Sequence, residues 1–295
     1  MTSPRDLRAL VRIAQEAEDA GVDGVMLSEH VVLGAGSGAD GIMGNPRDYA
    51  APGNQDPAMP WPDSIVLMGA IAAATSRVRL IGAAIIAPLR HPLLLANQLA
   101  TLDLLSEGRL VVQPTVSWHR EEYAALGVDF GARGRLLDEH LAAWRAAWTA
   151  SPASFHGEHY RFDEIWLEPK PHWPGGPRMW FGGMSVGPWI LRRLVEHGHG
   201  FHPFGRPTAE DLRALRDAMT AAGRDPGELE MVGGIRGRFP DAASVADLAE
   251  AAEQMPEQVE QGYGTICFKP SMFTDDAREV GRVCRELVGR AERLA

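Results

Sequence analysis

Glu29 and His30 stand side by side where the apolar run DGVMLSEH gives out into a glycine-rich stretch, and no other pair in the chain is better suited to moving a proton. A histidine titrates near neutral pH, so at a strand end it can give or take the proton that accompanies hydride transfer to a carbonyl or imine, or from an alcohol. Glu29 would orient the ring or hold it charged. The same two residue types also serve as a plain cap on a buried strand end, so the role depends on which edge of the fold they reach. A second group is Gly182, Gly183, Met184 and Ser185, which follow the apolar PRMWF. Glycine lets the backbone approach a ligand closely, and free N–H groups at a helix start bind phosphate. The turn also spells G-M-S-V-G, formally a hydrolase nucleophile elbow. That chemistry needs an acid and then a histidine downstream. The last histidine is His202 and the only acid between it and Ser185 is Glu196, on the preceding helix, so a serine hydrolase is disfavoured. His156 with His159, and His197, His199 and His202, offer imidazoles at metal-ligand spacing. No Asp or Cys accompanies the second group, strand alternation sends His199 and His202 to opposite faces, and the first pair sits in a polar hairpin. No metal site is assigned, and a metal-dependent barrel hydrolase stands as the competing enzyme class.

These residues must be held by a repeating β/α scaffold. Between Val78 and Val112 the chain runs strand, turn, helix, strand: VRLIGAAII is a fully buried parallel strand, LLLANQLATLDLLSEG a helix with an apolar stripe, and RLVVQP the next strand. The alternation continues, with strands expected from Asp23, Val78, Arg109, Arg178, His199, Glu230 and Thr265, each followed by a helical pattern. Residues 1–295 read as one domain, an α/β (β/α)8 barrel. A closed eightfold barrel begins with a strand, yet here a helix comes first, so the first barrel strand is expected to be missing from the chain as given. The Gly/Pro/Asn-rich stretch from Val31 to Pro60 is long for a connection and reads as a lid or binding loop.

Composition closes off other classes. At 295 residues and 45% hydrophobic the chain can bury a large core, and its formal net charge of −10 argues against a general nucleic-acid binder, which needs a basic face. No apolar run approaches the roughly 20 residues that span a bilayer, and the start has no signal-peptide pattern. Two cysteines, Cys267 and Cys284, make neither a disulfide framework nor a metal knuckle, so a reduced cytoplasmic protein is the simplest account.

In order along the chain, AEDAGVDGVMLSEH, RLIGAAIIAPLRHPLLLANQLATLDLLSEGRL, RGRLLDE and PRMWFGGMS resemble the bacterial luciferase-like superfamily, whose members use FMN or the deazaflavin coenzyme F420. The resemblance spans roughly Ala9 to Pro203. It implies a barrel oxidoreductase with the cofactor at the C-terminal mouth of the strands, His30 and Glu29 as the catalytic pair, and Gly182, Gly183, Met184 and Ser185 as the cofactor-phosphate turn. SEHVVLG, NPRDYAAPGNQDP and SWHREEY are most similar to the F420-dependent branch, which implies hydride transfer to or from a small organic substrate. An FMN-dependent monooxygenase is the alternative. The same branch implies a non-prolyl cis peptide against the cofactor ring, placed by alignment at Ala84–Ile85. Where many relatives have a glycine-rich strand end, this chain has QPTVSW, so the side chains of Thr115, Ser117 and Trp118 would narrow or reshape the pocket. Trp61, Trp118, Trp166, Trp173 and Trp180 suggest a flat apolar substrate. A homodimer is the expected assembly.

Overall fold

Seven short parallel strands form one curled sheet, shown by a computed structural model that describes residues 6–37, 57–58, 60–183, 185–205, 207–241 and 243–294. They are β1 (Gly24–Leu27), β2 (Arg79–Ile86), β3 (Leu110–Thr115), β6 (Arg178–Phe181), β7 (Gly200–Phe201), β8 (Glu230–Gly234) and β9 (Thr265–Cys267). Each begins within one residue of the position read from the sequence. The order is β1-β2-β3-β6-β7-β8-β9, and among the described residues β1 and β9 end the sheet without pairing to each other. The result is a half-barrel, the (β/α)8 architecture short of one strand. The polar insert is an antiparallel hairpin, β4 (Ala153–His156) with β5 (Arg161–Ile165).

The helices are α1 (Leu7–Asp19), α2 (Ser64–Ala74), α3 (Pro92–Leu105), α4 (Arg120–Ala125), α5 (Arg133–Thr149), α6 (Pro188–His197), α7 (Ala209–Ala221), α8 (Leu248–Ala252), α9 (Met255–Glu260) and α10 (Val280–Ala291). None among the described residues is long and apolar enough to cross a membrane. Alternation along the strands sorts the side chains into two cores. Leu80, Ile85, Leu110, Val112, Phe181 and Phe201 point outward and pack with Met68, Leu95, Leu99, Leu141 and Trp144 of the helices. Burying each such side chain contributes about 1.5–3 kcal/mol, and this outer layer fixes the strands. Ile81, Ala83, Val111, Trp180 and Val232 point inward, with Cys267 packed against them.

Below that inner layer the strands are tied by charge. Arg79 donates from Nη1 to both oxygens of Glu230, at 2.8 and 2.9 Å, and Glu230 also accepts from the Thr265 hydroxyl and, at 3.3 Å, from Trp180 Nε1. The entry to β2 is set by Glu18, whose carboxylate accepts the backbone N–H groups of Ser76, Arg77 and Val78. Burial pushes the Glu18 carboxyl up, but these backbone donors outweigh it and hold the group below its usual range. The barrel bottom is therefore pinned, leaving the C-terminal ends of the strands as the edge where loops carry chemistry. Of the expected lid, residues 31–37 are described, whereas 38–56 and 59 lie outside the described residues.

Candidate active site

His30 leaves β1 at the C-terminal edge with its Nδ1 3.1 Å from Oε2 of Glu122. Glu122 is fully buried in the first turn of α4, and its other oxygen accepts the backbone N–H of Val31 at 2.6 Å and of Val32 at 3.4 Å. A carboxylate accepts and does not donate, so the shared proton is assigned to Nδ1 and Nε2 is left as the working nitrogen. The ring lies edge-on to Trp61, centroids 4.9 Å apart, and to Trp118 at 5.6 Å. Among the described residues Nε2 has no hydrogen-bond partner.

Glu29 goes elsewhere, which corrects the expectation that it orients His30. Its Oε2 accepts from the Ile86 N–H at 2.7 Å and Arg90 Nη1 at 3.0 Å, while Oε1 accepts from Arg90 Nη2 at 2.7 Å and the Ser64 hydroxyl at 3.2 Å. Successive residues of an extended chain project to opposite sides, so the neighbour of His30 in sequence is not the neighbour of its ring. Glu29 ties β1 to the end of β2 and to the start of α2.

The segment after β3 holds the loop after β1. His119 Nε2 accepts the Gly34 N–H at 2.8 Å, and Glu121 Oε2 accepts the Gly36 N–H at 3.0 Å. A Cβ on Gly34 would lie 1.7 Å from the Glu121 carboxylate, so that position tolerates only glycine as packed. With the two bonds from Glu122, residues 119–122 secure much of the backbone from 31 to 36. Ser117, at φ 58°, makes the sharp turn that swings Trp118 to the rim, where it is 38% exposed. Thr115 ends β3 on the inward side shared by Val111 and Gln113.

The remaining positions divide. The non-prolyl cis peptide is Ala83–Ala84, one bond earlier than the Ala84–Ile85 expected. Ala83 pairs with Gln113 and Ile85 with Pro114, which leaves Ala84 as the unpaired residue of a bulge. Ile85 is fully buried in the outer core, so its side chain is not at the mouth, whereas Ala84 is half-buried. Gly182 and Gly183 do not open a helix: α6 begins at Pro188, after Gly187. A Cβ on Gly182 would sit 1.7 Å from the His202 carbonyl oxygen, so the first glycine is required by close packing of two strand ends. The N–H groups of Gly183 and Ser185 donate to nothing among the described residues, and Met184 lies outside them.

The histidines weighed as metal ligands are spread apart. His156 bonds Asp163, and His159 bonds Glu139, on the hairpin and the adjoining helix. His199 Nδ1 accepts from the Met179 N–H, and His202 bonds Gln113. Glu139, Glu158 and His159 form the one potential three-ligand group among the described residues. Glu139 is already spent there on the N–H groups of Glu158, His159 and Tyr160, so the cluster closes a turn.

Comparison with known proteins adds identity to this geometry. The family model for luciferase-like monooxygenases matches residues 1–281. The uncharacterized protein Rv0953c of Mycobacterium tuberculosis is 38% identical over 169 residues, covering 56% of this chain and 57% of that protein. The FMNH(2)-dependent dimethylsulfone monooxygenase of Pseudomonas putida is 28% identical over 209 residues, 69% of this chain and 56% of that one. The matches thus span a little over half the length of these curated relatives. Among solved structures, the monooxygenase RslO1 from Streptomyces bottropensis has a TM-score of 0.77 at 20% identity, over 100% of this chain and 95% of that one. An F420-dependent secondary alcohol dehydrogenase has a TM-score of 0.73 at 17% identity, over 97% and 95%. These two likenesses concern the fold.

Proposed function

Because the chain belongs to the luciferase-like monooxygenase family, we propose that it is an F420-dependent oxidoreductase transferring a hydride between the deazaflavin and a small organic alcohol or carbonyl compound. The observation that carries this reading is His30, held through Nδ1 by buried Glu122, with Nε2 unpartnered among the described residues and beside two tryptophans. Hydride transfer to or from a carbon–oxygen bond needs one proton moved at the oxygen, and a histidine of fixed tautomer suits that step. The deazaflavin, when bound, supplies the hydride position and little reactivity toward oxygen.

The residues at the mouth fit such a group. Ala84 offers a half-buried bulge with only a methyl group to obstruct a planar ring, Thr115 faces the same opening, and Trp118 walls the rim. The N–H groups of Gly183 and Ser185, unspent among the described residues, suit a phosphate oxygen. His30 takes the proton from an alcohol oxygen, or returns it to a carbonyl oxygen, at Nε2. Glu122 keeps the ring from rotating, and the two indoles exclude water from it.

An FMN-dependent monooxygenase is the second reading, favoured by the dimethylsulfone monooxygenase match over 69% of this chain. Fluorescence titration of the purified protein with F420 and, separately, FMN distinguishes the two. F420 is expected to bind at least tenfold more tightly, about 1.4 kcal/mol, and to be reduced when a secondary alcohol is added without oxygen. Tighter FMN binding with oxygen consumption moves the assignment to the monooxygenase, and binding of neither removes both.

The assembly belongs to the same reading. Helix α2, SIVLMGAIAAA, carries no charged residue, yet Val66 is 73% exposed, and Leu94 of the packed helix α3 is 55% exposed. A helix apolar on every face calls for cover on every face. We infer a homodimer buried on α2 and α3, which supplies that cover, and a cytoplasmic protein, a reading that the two free cysteines support. Light scattering after gel filtration should give twice the 32.0 kDa chain mass, and Val66→Glu combined with Ala70→Glu should give monomer. A wild-type monomer at tens of micromolar would end this assignment.

A further inference from the structure

We infer that His202 and Gln113 form a built hydrogen-bonding site on the floor of the barrel mouth, in which His202 Nε2 accepts a bond from an N–H or O–H donor of the bound ligand. This rests on the reading that the mouth takes a flavin-type ring and an alcohol.

The two residues come from strands that are not neighbours, since β6 lies between β3 and β7. Phe201 packs in the outer core, so His202, one residue on, faces inward. Gln113 shares the inward side of β3 with Val111 and is 1% exposed. The two side chains meet across the interior, His202 Nδ1 to Gln113 Oε1 at 2.8 Å. The backbone of His202 is equally fixed. Its N–H donates to the Phe181 carbonyl at 2.9 Å, and its carbonyl presses against Gly182 so closely that any side chain there would collide. The ring stands edge-on between fully buried Trp180 at 5.8 Å and Phe204 at 5.7 Å.

This geometry assigns the tautomer. The Gln113 amide nitrogen lies 3.5 Å from the His202 carbonyl oxygen, a long contact but one that a flipped amide would turn into oxygen facing oxygen. The amide oxygen therefore faces Nδ1, and Nδ1 must carry the hydrogen. Nε2 is then a lone-pair acceptor. It has no partner among the described residues, and it is not among the buried nitrogens sealed from solvent. Burial pushes the His202 imidazolium down to about 4, so the ring stays a neutral acceptor at physiological pH.

An anchored acceptor in an apolar mouth selects a ligand that brings a donor, because a ligand that covers it without one takes away its bond to water and gives none back. Two ligand groups have that chemistry: the imide N–H at the pyrimidine edge of a flavin or deazaflavin, and a substrate hydroxyl other than the one whose proton His30 takes.

The test is two-bond 1H–15N correlation on protein labelled at histidine, with His202→Phe to assign the signal. The free protein should show His202 as the neutral Nδ1–H form at pH 7. Adding F420 or FMN alone should move the Nε2 resonance if the donor is the imide, and a ring methylated at the imide nitrogen should bind tenfold or more weaker to wild type but equally to His202→Phe. If the donor is a second substrate hydroxyl, Nε2 should move only when 1,2-propanediol joins the cofactor, and His202→Phe should raise the KM for that diol while cofactor affinity holds. An Nε2–H form in the free protein, or an unmoved Nε2 with every probe, overturns the proposal. Cofactor binding that persists in that second case leaves the oxidoreductase reading standing, so the two failures are distinguishable.

Discussion

Replacing His30 by alanine lowers turnover roughly a hundredfold or more while cofactor affinity stays within about twofold, because the lost group acts on the proton and not on the ring. The assignment makes a second variant informative. Glu122→Gln keeps an oxygen that can accept from Nδ1 or from the backbone of Val31, but its amide can also turn a donor toward the ring. Turnover should fall about tenfold or more, and the His30→Ala, Glu122→Gln double variant should be no slower than His30→Ala alone, since residues acting as one unit are not additive. Steady-state rates with fluorescence titration of the cofactor measure both quantities. Unchanged turnover in His30→Ala removes it from the mechanism. Additive losses would instead mean that Glu122 acts through the loop it pins at Val31 and Val32, and not through the ring.

The strands were legible because a buried parallel strand is a short apolar run bounded by turn residues, and VRLIGAAII and RLVVQP are shorter than a buried helix and rich in β-branched residues. His30 was legible for the same reason, as the residue reached when such a run gives out. Its partner was not. Glu122 lies 92 residues away, in a polar REEY stretch that reads as an ordinary solvated helix start, and only the closing of β1 and β3 onto β2 brings it to the ring. Gly182 misled in a different way. Two glycines at a strand end suit a phosphate turn and a close backbone approach equally well, and the approaching carbonyl belongs to His202, twenty residues on, which periodicity cannot reveal. The QPTVSW departure was visible as a loss of glycines, but the meaning of Gln113 depends on which inward-facing residue stands across the interior. Local pattern thus gives which face a residue occupies, and pairing across the barrel is a property of closure.

Glu29→Ala is expected to lose about 3–5 kcal/mol of stability with little loss of turnover per folded molecule, the reverse of the His30 result. The carboxylate is buried, and its removal strands the Arg90 guanidinium and the Ile86 N–H together. Burial alone would push Arg90 below its ordinary value, yet the hydrogen bonds and charge of Glu29, with help from Asp63, hold it above, so the pair is mutually dependent. Asp63 cannot take over. It touches Arg90 at 3.3 Å from a half-exposed position, where a charge is worth far less. Glu29→Gln retains one accepting oxygen and should cost less, about 1–3 kcal/mol, since an uncharged amide still meets either Ile86 or Arg90. Urea unfolding measures both variants, with activity normalised to the folded fraction. The physical distinction is where the charge is needed: a positioning carboxylate acts in every folded molecule, whereas a catalytic one acts only when substrate is bound. A Glu29→Ala protein that unfolds like wild type but has lost its turnover would return Glu29 to the proton-transfer machinery, and the bond from His30 to Glu122 would then be the structural one.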